Sequence, residues 1–117
     1  MEEIRKEKLL QGGVNIETAM ERFMENEELF VRFLKKFHQD NSYELLKSAM
    51  AEKRYKDAFT AAHTLKGLCG NLSLDSLFKI VDKEVEFLRN DRYEEAEQVQ
   101  PELVKEYEKI IQIIDTL

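Results

Sequence analysis

The sequence predicts an all-α fold, an antiparallel up-and-down four-helix bundle with a short additional N-terminal helix, and three observations support it. The chain has one proline and four glycines, while Glu, Lys, Leu and Ala dominate, a composition that suits helices better than hairpins. Apolar residues recur at spacings of three and four in one segment after another. The connections between those segments are short, which favours antiparallel neighbours.

Taken in order, a first helix is expected over about residues 2–11, stopped by Gly12-Gly13 and lying as a lid on the bundle. Asn15 can cap the next segment, with Ile16, Ala19, Met20 and Phe23 on one face, and helix resumes through Leu29, Phe30, Phe33, Leu34 and Phe37. That stretch ends near Asp40-Asn41, and Ser42 opens a helix in which Tyr43, Leu46 and Met50 recur. After a turn around Lys53-Arg54, helix runs from about Lys56 to Asn71. Leu72-Ser73 reads as a break, with Ser73 as N-cap of the following helix, Asp75 in its first turn and Leu72 stapled against Leu77. Phe78, Val81, Val85 and Leu88 continue it to the polar turn at Asn90-Asp91. Tyr93 to Gln100 and then Leu103, Tyr107, Ile110, Ile113 and Ile114 form one helix or two: Pro101 either starts the last helix or kinks a longer one.

At 117 residues there is material for one core, so residues 1–117 are expected to form a single domain. No apolar run approaches the roughly 18 residues of a membrane span, and the start lacks the apolar stretch of a signal peptide, so a cytoplasmic protein is expected. A net charge of −6 argues against nucleic acid or an anionic membrane as partner. Cys69 is the only cysteine; it cannot form an internal disulfide, and with two separated histidines it is too little for a structural zinc site. No Gly-rich nucleotide loop is present, so a phosphoryl group on this chain would have to come from another protein.

The informative segment is Ala61-Ala62-His63-Thr64-Leu65-Lys66-Gly67-Leu68-Cys69-Gly70-Asn71-Leu72. On a helix advancing about 100° per residue, Ala58, Ala62, Leu65, Cys69 and Leu72 form one apolar stripe, and His63, Gly67 and Gly70 fall on the outer side with Lys66 on the flank. Two glycines within one helix each cost about 1 kcal/mol relative to alanine. Gly67 is one turn beyond His63, and a side chain there would lean back over the imidazole. Its absence leaves a clearing through which another protein could reach the ring. Lys66 stands where its ammonium can meet a phosphate bonded to that ring. An imidazole with an ordinary pKa of about 6.5 is largely neutral near pH 7 and keeps a nucleophilic lone pair.

The run from Ala62 to Leu72 resembles the signature of histidine-containing phosphotransfer (HPt) domains. The resemblance implies a four-helix bundle, His63 as phosphoacceptor, Lys66 as phosphate stabiliser, Gly67 as the access position, and response-regulator receiver domains as donor and acceptor. One position departs from the pattern: HPt sequences usually have glycine where this chain has Ser73.

The expected function is therefore phosphotransfer between receiver domains in a two-component phosphorelay, with a hybrid histidine kinase as a further partner. No ATP site or cofactor of the chain's own is expected, Mg²⁺ belonging to the receiver, and a monomer is expected. The alternatives are the phosphotransfer module of a larger histidine kinase, or a non-phosphorylated helical adaptor that uses the same face for docking. Gly70 and Phe59 complete the expected partner-binding set. Phe59 sits at the edge of the core stripe, where core packing competes with a docking role. His38 reads as a solvated helix-end residue, Cys69 as a small buried hydrophobe, and Arg89 as a helix-end cation that could approach the phosphate.

Overall fold

The computed structural model describes residues 1–117 and contains seven helices: α1 (Glu3–Gln11), α2 (Ile16–Arg22), α3 (Glu27–Gln39), α4 (Ser42–Ala51), α5 (Tyr55–Asn71), α6 (Asp75–Arg89) and α7 (Tyr93–Asp115). α4, α5, α6 and α7 follow one another through short turns, and each packs on the next. α3 packs on α7 and joins α4 through Asp40, whose backbone is extended, and Asn41. The result is an up-and-down bundle, 43 Å long and about half as wide. None of its helices is long and apolar enough to cross a membrane.

The bundle forms because every helix contributes buried residues to one cluster, from Leu9 in α1 through Phe30 and Leu34 in α3 to Ile110 and Ile114 in α7. Aromatic stacking ties the arms together: Tyr43 of α4 lies flat on Tyr107 of α7 with ring centroids 3.6 Å apart, and Tyr55 of α5 on Tyr93 of α7 at 4.0 Å. α1 lies across one end of the bundle. A Cβ added at Gly12 would come within 2.8 Å of Ile110 and 2.9 Å of Ile113, so the chain passes α7 there with only a glycine between. Asn15 caps α2 by accepting from the Thr18 amide, as the sequence suggests, and Asn26 does the same for α3 through Leu29.

The helices end in a recurrent way. At Gly13, Met24, Lys53, Ser73 and Asp91 the backbone turns left-handed, with φ between 53° and 77°. In the α5–α6 turn the Leu74 amide donates to the Cys69 carbonyl at 2.9 Å and the Ser73 amide to Gly70 at 3.2 Å, the paired bonds of a Schellman motif. The same pair closes α4, with Arg54 to Ala49 and Lys53 to Met50, and α6, with Arg92 to Phe87 and Asp91 to Leu88. The expectation that Ser73 caps α6 is therefore corrected: the capping position is Leu74, without a side-chain bond, and Ser73 is the left-handed residue that ends α5. Its φ of 57° accounts for the glycine usual at this place in HPt sequences. Ser73 is buried, and its hydroxyl accepts from that of Thr18 at 2.8 Å, a bond glycine could not make.

Pro101 lies inside α7, which runs unbroken from Tyr93 to Asp115, so a single helix accommodates it. One residue earlier, Gln100 serves a buried acid. Glu84 of α6 is fully buried, and the Gln100 amide nitrogen, turned toward it, donates to its two oxygens at 2.9 and 2.8 Å. Burial pushes the Glu84 carboxyl up to about 8.

Two predictions follow from this packing. The left-handed conformation costs a non-glycine residue about 1 kcal/mol or more, and Met24 is 84% exposed. Met24→Gly should therefore raise stability by about 0.5 to 1 kcal/mol after the added flexibility of the unfolded chain is subtracted. Ser73→Gly should gain less, since it loses the bond to Thr18. Denaturant midpoints check both, and a larger gain at position 73 would contradict the role given to the hydroxyl. For Glu84, the folded chain holds a proton that the unfolded chain releases above its reference value of 4.5. Its contribution to stability therefore falls as pH rises from about 4.5 to about 8 and is level beyond. Glu84→Gln should match wild type near pH 4 and exceed it by roughly 3 to 5 kcal/mol at pH 8.5, read from urea midpoints across that range.

Candidate functional site

The site is laid out by the phase of α5. Ala58, Ala61, Ala62, Leu65 and Cys69 are buried against neighbouring helices, and this turns His63 and Gly67 outward into solvent. The stripe expected from the sequence is the one that packs. Thr60 and Thr64 return their hydroxyls to the carbonyls four residues earlier, so they stay on the helix beside His63. Burial pushes the Cys69 thiol far up, leaving it a small core group.

The His63 ring lies beside Phe59, with centroids 5.9 Å apart and planes tilted by 28°. Phe59 is partly buried and packs on the core, so its ring serves the core edge and supports the imidazole at once. Arg89 of α6 places its guanidinium over the same ring, 5.5 Å from its centre, and pairs with Glu86. Expected as a helix-end cation, Arg89 thus stands one aromatic ring away from the histidine.

Lys66 is less free than its place on the flank suggests. Its ammonium lies 2.8 Å from Asp82 Oδ1 of α6 and 5.8 Å from the centre of the Phe78 ring, and only 27% of the side chain is exposed. Asp82 was not singled out from the sequence. Lys66 and Asp82 are equidistant in sequence from Leu74, as are Gly70 and Phe78, and Phe59 and Arg89, and in an antiparallel hairpin such mirror positions meet, but the centre of the mirror is fixed only by the geometry of the turn.

The two outer glycines have different surroundings. A Cβ at Gly67 would meet nothing within 4 Å, so no packing requires glycine there and the space beside His63 is open. A Cβ at Gly70 would stand 3.3 Å from Phe78, and the Gly70 carbonyl accepts from Arg22 of α2 as well as from Ser73. Gly70 therefore has a structural reason that the sequence alone does not give: it lets α6 bring Phe78 close.

His38 is exposed near the C-terminal end of α3, the solvated helix-end residue expected from the sequence. Its Nδ1 lies 2.8 Å from Asp115 Oδ1, joining α3 to the end of α7. Unlike His63, it is already paired with a carboxylate, and its helix has no glycine to open space beside it. Chemically, the His63 arrangement offers a solvent-facing imidazole nucleophile on a rigid helix, an aromatic ring that holds it, cations on the adjoining helix surface and a clearing one turn away.

Searches of curated proteins and of solved structures each found no match. Against protein-family models, the Hpt domain matches residues 28–115, a span that begins in α3 and takes in α4 to α7 with Phe59, His63, Lys66, Gly67, Gly70, Asp82 and Arg89. With about three quarters of its length matched, the chain belongs to the Hpt domain family, whose members carry out histidine phosphotransfer in phosphorelays.

Proposed function

We propose that this chain carries a phosphoryl group on His63, accepting it from the aspartyl phosphate of a response-regulator receiver domain and passing it to another receiver. The observation that supports this most directly is the outward imidazole beside a glycine whose missing side chain leaves open space. In the first transfer a lone pair of the neutral ring forms the P–N bond while the P–O bond to the receiver's aspartate breaks. The aspartate leaves as a carboxylate with the bonding pair, and the proton on the other ring nitrogen goes to solvent. The same steps in reverse load the second receiver. Phe59 holds the ring, Lys66 meets the phosphoryl oxygens, and Gly67 admits the receiver. The receiver brings its own carboxylates and Mg²⁺, so this chain needs only to position the nucleophile.

This reading makes two predictions. Label from a phosphorylated receiver should appear, acid-labile, on wild type and on His38→Ala and be lost in His63→Gln. Binding without labelling of the wild type would leave only a docking adaptor. Gly67→Ala should be more stable than wild type by up to about 1 kcal/mol, since alanine is the better helix former and the space is open. Gly67→Gln should stay folded but accept phosphate about a hundredfold more slowly, because its side chain leans over His63 and a displacement of about 1 Å can cost that much. Melting curves and transfer time courses on the two variants check this, and full activity in folded Gly67→Gln would remove the clearing from the docking site.

A further inference from the structure

We infer that Asp82 is a positioning residue for Lys66: a resting counter-ion that holds the ammonium against α6 and gives it up to the phosphoryl group on His63. This rests on the function proposed above and concerns how firmly the carrier keeps its cargo.

Lys66 cannot serve Asp82 and a phosphoryl group equally. At rest its ammonium is 2.8 Å from Asp82 Oδ1 and over the face of Phe78. Asp82 is set on the body of α6, and that helix is seated by the Phe78–Gly70 contact, where a Cβ would come within 3.3 Å. The counter-ion is therefore fixed, while the lysine has a flexible four-carbon stem. The pair is partly exposed, at 27% and 42% of the two side chains, and pairs of this kind hold weakly. A phosphoryl group brings more than one negative charge, so it outcompetes a single carboxylate for the ammonium. Asp82 then remains nearby without its partner. Its charge opposes the phosphorylated state, and its claim on Lys66 must be broken each time that state forms. Both effects make His63 a readier donor, as a carrier that must release its cargo requires. An ammonium left wholly to the phosphate would stabilise the phosphoramidate and oppose the ring protonation that precedes P–N cleavage.

The test loads the full chain from phosphoramidate, a small-molecule donor that needs no receiver, localises the label by peptide mass spectrometry and follows the half-life of phosphorylated His63. In Asp82→Asn the half-life should lengthen roughly two- to fivefold, the scale of a partly exposed charge pair. Asp82→Glu, which keeps the charge, should stay near wild type. In the Lys66→Ala background the effect of Asp82→Asn should shrink by at least half, which a merely structural role would not produce. Melting curves accompany each variant, and Asp82→Ser replaces Asp82→Asn if the latter melts early. An unchanged half-life makes the pair an ordinary surface contact, and a shortened one makes Asp82 the residue that holds Lys66 in its productive place; either overturns the proposal. Absence of label on wild-type His63 would instead remove the carrier function itself, and this inference with it.

Discussion

The turn between α5 and α6 fixes the rest of the site. Two backbone bonds, Leu74 to Cys69 and Ser73 to Gly70, close α5 and start α6 with no loop to spare. Once the turn is set, the register of the hairpin is set with it. Phe78 falls against Gly70, Asp82 against Lys66 and Arg89 against Phe59. Phe78, Asp82, Glu86 and Arg89 recur at helical spacing along α6 and form one ridge beside the outer face of α5. A turn longer by one residue would rotate that ridge by about 100° and put another row of side chains beside Lys66.

Much of this could be read from the sequence. The α5 stripe could, because Ala58, Ala62, Leu65, Cys69 and Leu72 are apolar at the spacing a helix requires, and the outward phase of His63 follows from them. The helix ends were harder. Glycine would have announced the left-handed positions, yet four of the five turns closed by Schellman-type bonds use Met24, Lys53, Ser73 and Asp91. A serine before an acidic first turn looks like a cap, and only the backbone shows that Ser73 ends one helix instead of starting the next. Pro101 was ambiguous for a physical reason: proline is tolerated at a helix start and, at some cost, within a long helix packed on neighbours. The pairing of Lys66 with Asp82 needed the register of the turn, which periodicity alone does not supply.

Gly67 and Gly70 look alike in the sequence, two glycines on the outer side of one helix, and they differ in what constrains them. At Gly70 the constraint is internal, since a Cβ would press on the Phe78 ring at 3.3 Å. At Gly67 a Cβ would meet nothing within 4 Å, and helix propensity favours alanine there. A glycine that stability alone would replace, one turn from an exposed histidine, points to a constraint imposed from outside the chain. An approaching protein surface is the simplest source of such a constraint, and the Hpt domain match accords with it.

The charges around His63 show a related compromise. The chain is acidic overall, with a net charge of −6, and a dianionic cargo would be disfavoured on most of its surface. The cations of α5 and α6 near His63 offset this, but each is already paired on α6, Lys66 with Asp82 and Arg89 with Glu86. Unpaired cations would hold the phosphoryl group more firmly and make it harder to pass on. Paired ones leave the resting site close to neutral and supply positive charge only as the carboxylates are displaced. On the proposed function, the attraction felt by the cargo would be a difference between two ion pairs, smaller than either alone, and a small difference would let a carrier load from one partner and unload to the next.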